Sequence, residues 1–263
     1  MEGADLSETN LVGAKLTCAR LIDTNLKNAN LAKANLANAI YEVKFDHLPD
    51  IVSMSQANGL ELMQYCESPH ALEQLKNAFK LGGWRQKERE ITFAIKQTKQ
   101  NKYLIDKNYP AFIFNFLFFD LTTNFGLYPG KALRILIYLI PIFTLIYMFA
   151  IWRSSDKHSI YRVWPKDRIE IKEGQAVLED STRLERLKIG HFSLISSLHF
   201  SLHSAFNIGW RELNIGNWLN RLQLHPYSYQ ATGWVRSVSG FQSLISVLLL
   251  AMWAISYFGR PFD

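Results

Sequence analysis

The sequence predicts a mixed fold: a repeating coil at the amino terminus, a helical linker, and a carboxy-terminal half with two long apolar helices flanking a short one. Three observations carry this. Leucine recurs every five residues from Leu6 to Leu36. Two blocks without charge, 135–152 and 237–258, hold 18 and 22 residues. Between them a further apolar stretch, 191–206, runs for only about 16 residues and is broken by polar groups.

The repeat comes first. In "GADLSETNLVGAKLTCARLIDTNLKNANLAKANLANAIYE" leucines stand at Leu6, Leu11, Leu16, Leu21, Leu26, Leu31 and Leu36, and two residues before each is Ala or Thr. A helix turns ~100° per residue, so five-residue steps scatter these leucines around it. On a strand each step flips the face. A chain that turns a corner in every repeat points all of them inward. These residues resemble the pentapeptide-repeat family, whose A(D/N)LxX units form the faces of a right-handed quadrilateral β-helix, four repeats per coil. The resemblance implies a stub of two coils over residues 1–41, with Ala39 and Tyr41 as a worn eighth repeat. Some members mimic DNA and bind topoisomerases, which relies on an acidic surface. Residues 1–134 carry 16 Lys/Arg against 14 Asp/Glu, so mimicry is not expected; no basic run stands out to bind nucleic acid either. Presenting the stub to a soluble partner is the expectation that remains.

The linker, 42–130, contains "SPHALEQLKNAFKLGGWRQKEREITFAIKQTKQNKY", which reads as a helical hairpin. Ser68 can cap, Pro69 suits the first helical position, and Gly82 and Gly83 break the run. Leu72, Leu75 and Phe79 share one face and are expected to close the open end of the coil. "AFIFNFLFFDL", 111–121, is too short to span a bilayer and reads as a helix lying at its interface, a buried amphipathic helix being the alternative. This connector resembles that of pentapeptide-repeat proteins fused to two-span ion-channel domains. Cys18 and Cys66 have neither disulfide-rich density nor metal-ligand spacing, and are expected to be reduced and buried.

The remaining residues, 131–263, form the apolar half. At ~1.5 Å per residue about 20 residues cross ~30 Å of hydrocarbon, which assigns spans to about 133–152 and 236–258. A polar segment, 153–190, shows strand-like alternation in "DRIEIKEG". "HFSLISSLHFSLHSAF", 191–206, suits a re-entrant helix better than a third span. Span, short helix, loop, span is the plan of the potassium-channel pore module, which this half resembles. Aligned on its glycine, the filter of that family falls on Phe206, Asn207, Ile208, Gly209, Trp210, Arg211 and Glu212. The branched residue, first glycine, aromatic and acid are kept. Arg211 replaces the second glycine and Phe206 a threonine, so the outer carbonyl ring and the inner hydroxyl ring are both lost. Potassium selectivity is therefore not implied.

From Arg153 to Arg236 there are 12 Lys/Arg against 8 Asp/Glu, an excess that would gather anions unless paired on a solvated surface. Ser239, Ser243 and Ser246 make one polar stripe on the second span, facing either a water-filled pore or a neighbouring helix with their hydroxyls bonded back to their own. His199 and His203, one turn apart, are expected to be polar packing rather than a metal site. No nucleophile–base pair, phosphate loop or zinc spacing is recognisable, so neither enzyme activity nor a cofactor is expected. No signal peptide is recognised before the spans, and with the resemblance this gives the expectation of a multi-pass membrane protein whose amino-terminal domain is cytoplasmic, although the Lys/Arg distribution beside the first span gives this no support. Two functions compete. One is a homo-oligomeric ion channel, tetrameric in first expectation, passing an ion of unidentified sign. The other is a non-conducting anchor for the stub.

Overall fold

The computed structural model describes residues 1–44, 47–153, 159–163, 169–172, 175–178, 184–186, 193–206 and 228–259. They form two compact units, one holding residues 1–131 and the chain from Met252 onward, the other residues 132–251.

In the first unit, a left-handed backbone recurs at period five. Gly3, Glu8, Gly13, Cys18, Asp23, Asn28, Lys33 and Asn38 all take φ between 52° and 67°. In every leucine repeat this residue lies two positions after the leucine. Bonds such as Thr9 N–H to Leu6 O (3.3 Å) and Ala34 N–H to Leu31 O (3.0 Å) close the corresponding four-residue turns. Left-handed geometry at the third position defines this turn type. Each repeat thus ends in a corner, which is how a five-residue period keeps every leucine on the inside.

Successive coils pair in parallel. Asp5 bridges Asn25, Asn10 bridges Asn30 and Lys15 bridges Asn35, each twenty residues or four repeats on. Strand β1 (Arg20–Ile22) lies beside β2 (Ile40–Glu42), with Leu21 opposite Tyr41. Leu21, Leu26, Leu31 and Leu36 are fully buried, while Leu6 and Leu11 of the first coil pack against this core only in part. Burial also pushes the Tyr41 phenol well above its usual range.

The rungs continue past residue 41. Asn58 bridges Asn35 and Gln64 bridges Ile40, so the segment containing α1 (Ile51–Ser55) and a 3-10 turn (Leu60–Leu62) adds a further, irregular layer. Gly59 is required there. Its φ is 76°, and a Cβ would sit 2.7 Å from the Ala37 nitrogen.

Helices α2 (His70–Leu81) and α3 (Arg85–Ile105) close this end. Leu72, Leu75 and Phe79 are fully buried in one core with Leu60, Met63 and Ile91, as their shared face predicts. Pro69 is the residue before the helix rather than its first, and Ser68 Oγ accepts from His70 N–H at 3.3 Å. The Glu42 carboxylate accepts from Cys66, Glu67 and Ser68 N–H at 3.1, 2.7 and 2.8 Å, holding the entry to α2. One expectation fails: both cysteines are exposed, not buried. Cys18 stands at a left-handed corner, where side chains turn outward, and Cys66 lies in the segment Glu42 holds.

The phenylalanine-rich stretch is helical throughout: α4 (Tyr109–Asn115), a π-helical turn (Phe116–Asp120) and α5 (Leu121–Thr123). Phe119 packs with Phe93 and Phe125, whereas Ile113, Phe114, Leu117 and Leu121 remain exposed. An exposed apolar side of this kind is what an interfacial helix presents.

The second unit holds most of α6 (Gly130–Trp152) and α8 (Trp234–Phe258), with α7 (Ser193–Phe206) between them in sequence. Helices α6 and α8 are both long and apolar enough to cross a membrane. Ile137, Tyr138, Ile142 and Leu145 on α6, and Phe241 and Leu244 on α8, are exposed. The chain joining α6 to α7 includes β3 (Ile160–Val163), β4 (Ile169–Lys172), β5 (Gln175–Leu178) and β6 (Leu184–Arg186). Strands β4 and β5 form a hairpin in the segment whose alternation predicts strand, and β3 lies between β6 and β7 (Ser228–Ala231), antiparallel to both.

Candidate functional site

A chain of hydrogen bonds runs through three helices of the second unit. Tyr147 of α6 donates its hydroxyl to Gln242 Oε1 of α8 at 2.7 Å. Gln242 Nε2 donates to Ser201 of α7 twice, to its backbone oxygen at 3.1 Å and its hydroxyl at 3.0 Å. Ser201 Oγ in turn donates to Ile140 O on α6 at 2.9 Å. Tyr147, Ser201 and Gln242 are each 1% exposed or less. A glutamine amide has two N–H donors and one carbonyl oxygen. Here both ends of that amide are engaged, each with a different helix.

Helix spacing explains why one α6 surface takes two links. Ile140 and Tyr147 are seven residues apart, about two turns, so both lie along the same face. Aromatic rings wrap the link. Phe200 meets Tyr147 edge-on with centroids 4.7 Å apart, and Phe143 stacks on Tyr147 at 6.2 Å. Buried polar networks stabilise only when every member is satisfied, and in this chain each link has its partner.

Helix α7 has 14 residues and is therefore ~21 Å long, too short for ~30 Å of hydrocarbon. Its burial is one-sided: Ser197, Phe200, Ser201 and Ser204 are buried, while Leu194, Ile195 and Leu198 are exposed. Phe206, the first residue of the sequence-derived filter, ends α7 and is half-buried. Asn207, Ile208, Gly209, Trp210, Arg211 and Glu212 lie outside the described residues.

The serine stripe divides. Ser239 is half-buried and its hydroxyl donates to Arg236 O at 2.8 Å. Ser243 is also half-buried. Ser246 is 1% exposed and donates to Gln242 O at 2.9 Å, so it faces protein and bonds back to its own helix. Gln242, four residues before Ser246 and equally buried, shares that side of α8. The period of the serines singles them out in the sequence, while the lone glutamine has no period to mark it. The sequence carries a signal for it: Gln242 is the one side-chain amide in residues 237–258, and a strongly polar group on a long apolar helix points to an internal contact.

His199 lies with its ring 5.3 Å from that of Tyr229. His203 lines a cavity of about 380 Å³ together with Phe200, Tyr229, Arg236 and Ser239. Among the described residues no three His, Cys, Asp or Glu side chains are grouped to hold a metal.

Comparison with known proteins identifies the amino-terminal segment. Eight copies of the pentapeptide repeat match residues 2–40, so this part of the chain consists of pentapeptide repeats, a sequence class that implies a β-helix. No curated protein and no solved structure matches the chain.

Proposed function

We propose that the chain is one subunit of a homo-oligomeric membrane ion channel, with α6 and α8 as spans and α7 as a re-entrant helix leading into the pathway. In this reading four copies surround the axis, because one short helix per chain cannot enclose a pore. The repeat coil is a right-handed quadrilateral β-helix on the cytoplasmic side. The carrying observation is the polar link itself. A helix too short to span is hung between two that are long enough, by bonds from Gln242 to Ser201 and from Ser201 to Ile140. Lipid offers no partner for these groups, so the link favours one seating of α7 over others.

Arg211 then sets the sign of the permeant ion. Two unit charges 4 Å apart interact by ~4 kcal/mol at an effective dielectric near 20, enough to dominate ion choice if Arg211 is not fully paired by Glu212. Reversal potentials across a salt gradient in planar bilayers test this for the wild type, Arg211→Gly and Glu212→Gln. Arg211→Gly should shift selectivity toward cations, and Glu212→Gln should deepen cation exclusion. Equal selectivity in all three removes Arg211 from the pathway.

A specific observation favours the second reading, a non-conducting anchor that presents the repeat coil to a soluble partner. Gln242 and Ser246 are turned into the protein and bonded there, where a wet pore lining would expose them. Absence of current from the wild type and from Arg211→Gly, with the oligomer intact, selects the anchor.

A further inference from the structure

The last turn of α8 ends inside the first unit, against the start of α3. The final carbonyls of any helix lack intrahelical donors and carry partial negative charge. Here they are taken up by two arginines. Arg85 Nη2 donates to Tyr257 O at 2.7 Å and to Gly259 O at 3.0 Å. Arg89 Nη2 donates to Ser256 O at 2.6 Å. Ser256 is fully buried, and its own hydroxyl has no partner among the described residues.

The arginines are four residues apart on α3, about 40° around its axis, so both reach one target. On the same numbering Ile91, Ala94 and Ile95 fall on another side of α3 and belong to the continuous core that includes Leu72, Leu75 and the repeat leucines. One side of α3 is therefore fixed to the coil and another to the end of the second span. Desolvation, and secondarily the neighbouring Arg85, holds the pKa of the Arg89 guanidinium below its ordinary value.

We propose that Arg85 and Arg89 form a clamp through which the repeat domain controls the carboxy-terminal end of the second span. The clamp makes the coil a regulatory handle: a partner that moves or stiffens it acts on α8 through two guanidinium groups. Its effect on current rests on the channel reading; its grip on the helix end does not.

The test uses the full chain in lipid nanodiscs and compares wild type with Arg85→Gln/Arg89→Gln. Hydrogen exchange of amides in residues 252–259 reports the grip. Losing charge-assisted bonds at a helix end should speed their exchange about tenfold or more, with the coil's own protection unchanged. Lysine at both positions keeps the charge without the fork and should restore only part of the protection. Unchanged exchange in the glutamine variant overturns the clamp. Bilayer recordings of the same proteins read the transmission. Faster exchange with altered open probability supports it, and faster exchange with unaltered open probability overturns control of the pore while leaving the channel reading intact. Faster exchange with no current from either protein supports the clamp and counts against the channel.

Discussion

The repeat coil and the three-helix bundle are stabilised in opposite ways. In the coil every fifth residue from Leu6 to Leu36 is an inward leucine and most corners are closed by their own turn, so the same contact is repeated many times. In the bundle many large apolar side chains of α6 and α8 are exposed, and polar side chains join the helices beside a small apolar cluster. The difference is the one expected of a coil built for water and a bundle built for lipid, as the proposed channel and the anchor reading both require. In water, apolar burial drives the chain inward and selects the buried face. For helices in lipid, both faces meet hydrocarbon, and hydrogen bonds and close packing choose which faces meet. Leucine is informative in the first region and nearly silent in the second, where a glutamine carries the information.

The largest effect should come from a charge in the coil. Leu26 is fully buried, and truncating such a leucine costs ~2–5 kcal/mol, with more for an unpaired charge. Leu26→Asp should unfold the rungs through Gln64, making residues 1–65 sensitive to limited proteolysis, while α6 and α8 stay in the membrane fraction. Unchanged protease resistance would mean that the leucines do not form a dry interior.

The bundle should respond to a change of the opposite kind. Gln242→Leu adds apolar character to an apolar helix yet removes the partner of both Tyr147 and Ser201. Membrane hydrogen bonds contribute ~0.6–2 kcal/mol each, so a loss of ~1–2 kcal/mol is expected in detergent unfolding. Tyr147→Phe alone removes one donor, and the double variant should lose less than the two single losses added. Strict additivity in that cycle would show that the residues act separately, and the contrast between the two regions would fail.

What the sequence made legible follows the same division. The period of five foretold the coil, and the shared face of Leu72, Leu75 and Phe79 foretold where α2 packs. The rungs from Asn58 to Gln64 were hidden because that segment has lost the leucine period and joins the coil through backbone bonds, which any side chain permits. Two helices long and apolar enough to cross a membrane, and a shorter one between them, were readable from length and charge alone. Their mutual seating was not, since Ser201 and Tyr147 look like ordinary residues until Gln242 is placed against them. The serine stripe was readable as a stripe, but its period cannot tell a wet face from a back-bonded one, and Ser246 is of the second kind.

The smallest effect isolates the corner itself. Gly13 takes φ 67°, and a Cβ added there would have nothing within 4 Å. Gly13→Ala therefore creates no clash with a neighbour and changes only the cost of left-handed backbone, ~1–2 kcal/mol for an L-residue. Lys33, with φ 59°, already bears that cost at an equivalent corner. Lys33→Gly should recover part of it, by a few tenths of a kcal/mol once the greater freedom of unfolded glycine is set against the relief. The measurement is native-state hydrogen exchange of rung amides in the full chain. The bond from Gly13 N–H to Ala32 O, 2.9 Å long, reports the first substitution, and that from Lys33 N–H to Gln56 O, 3.3 Å, the second. Protection should fall for Gly13→Ala and rise slightly for Lys33→Gly. The two shifts have opposite sign because the corners demand one backbone geometry whichever residue occupies them. If both substitutions shift protection the same way, the corners are set by the side chains that occupy them and not by a shared backbone geometry.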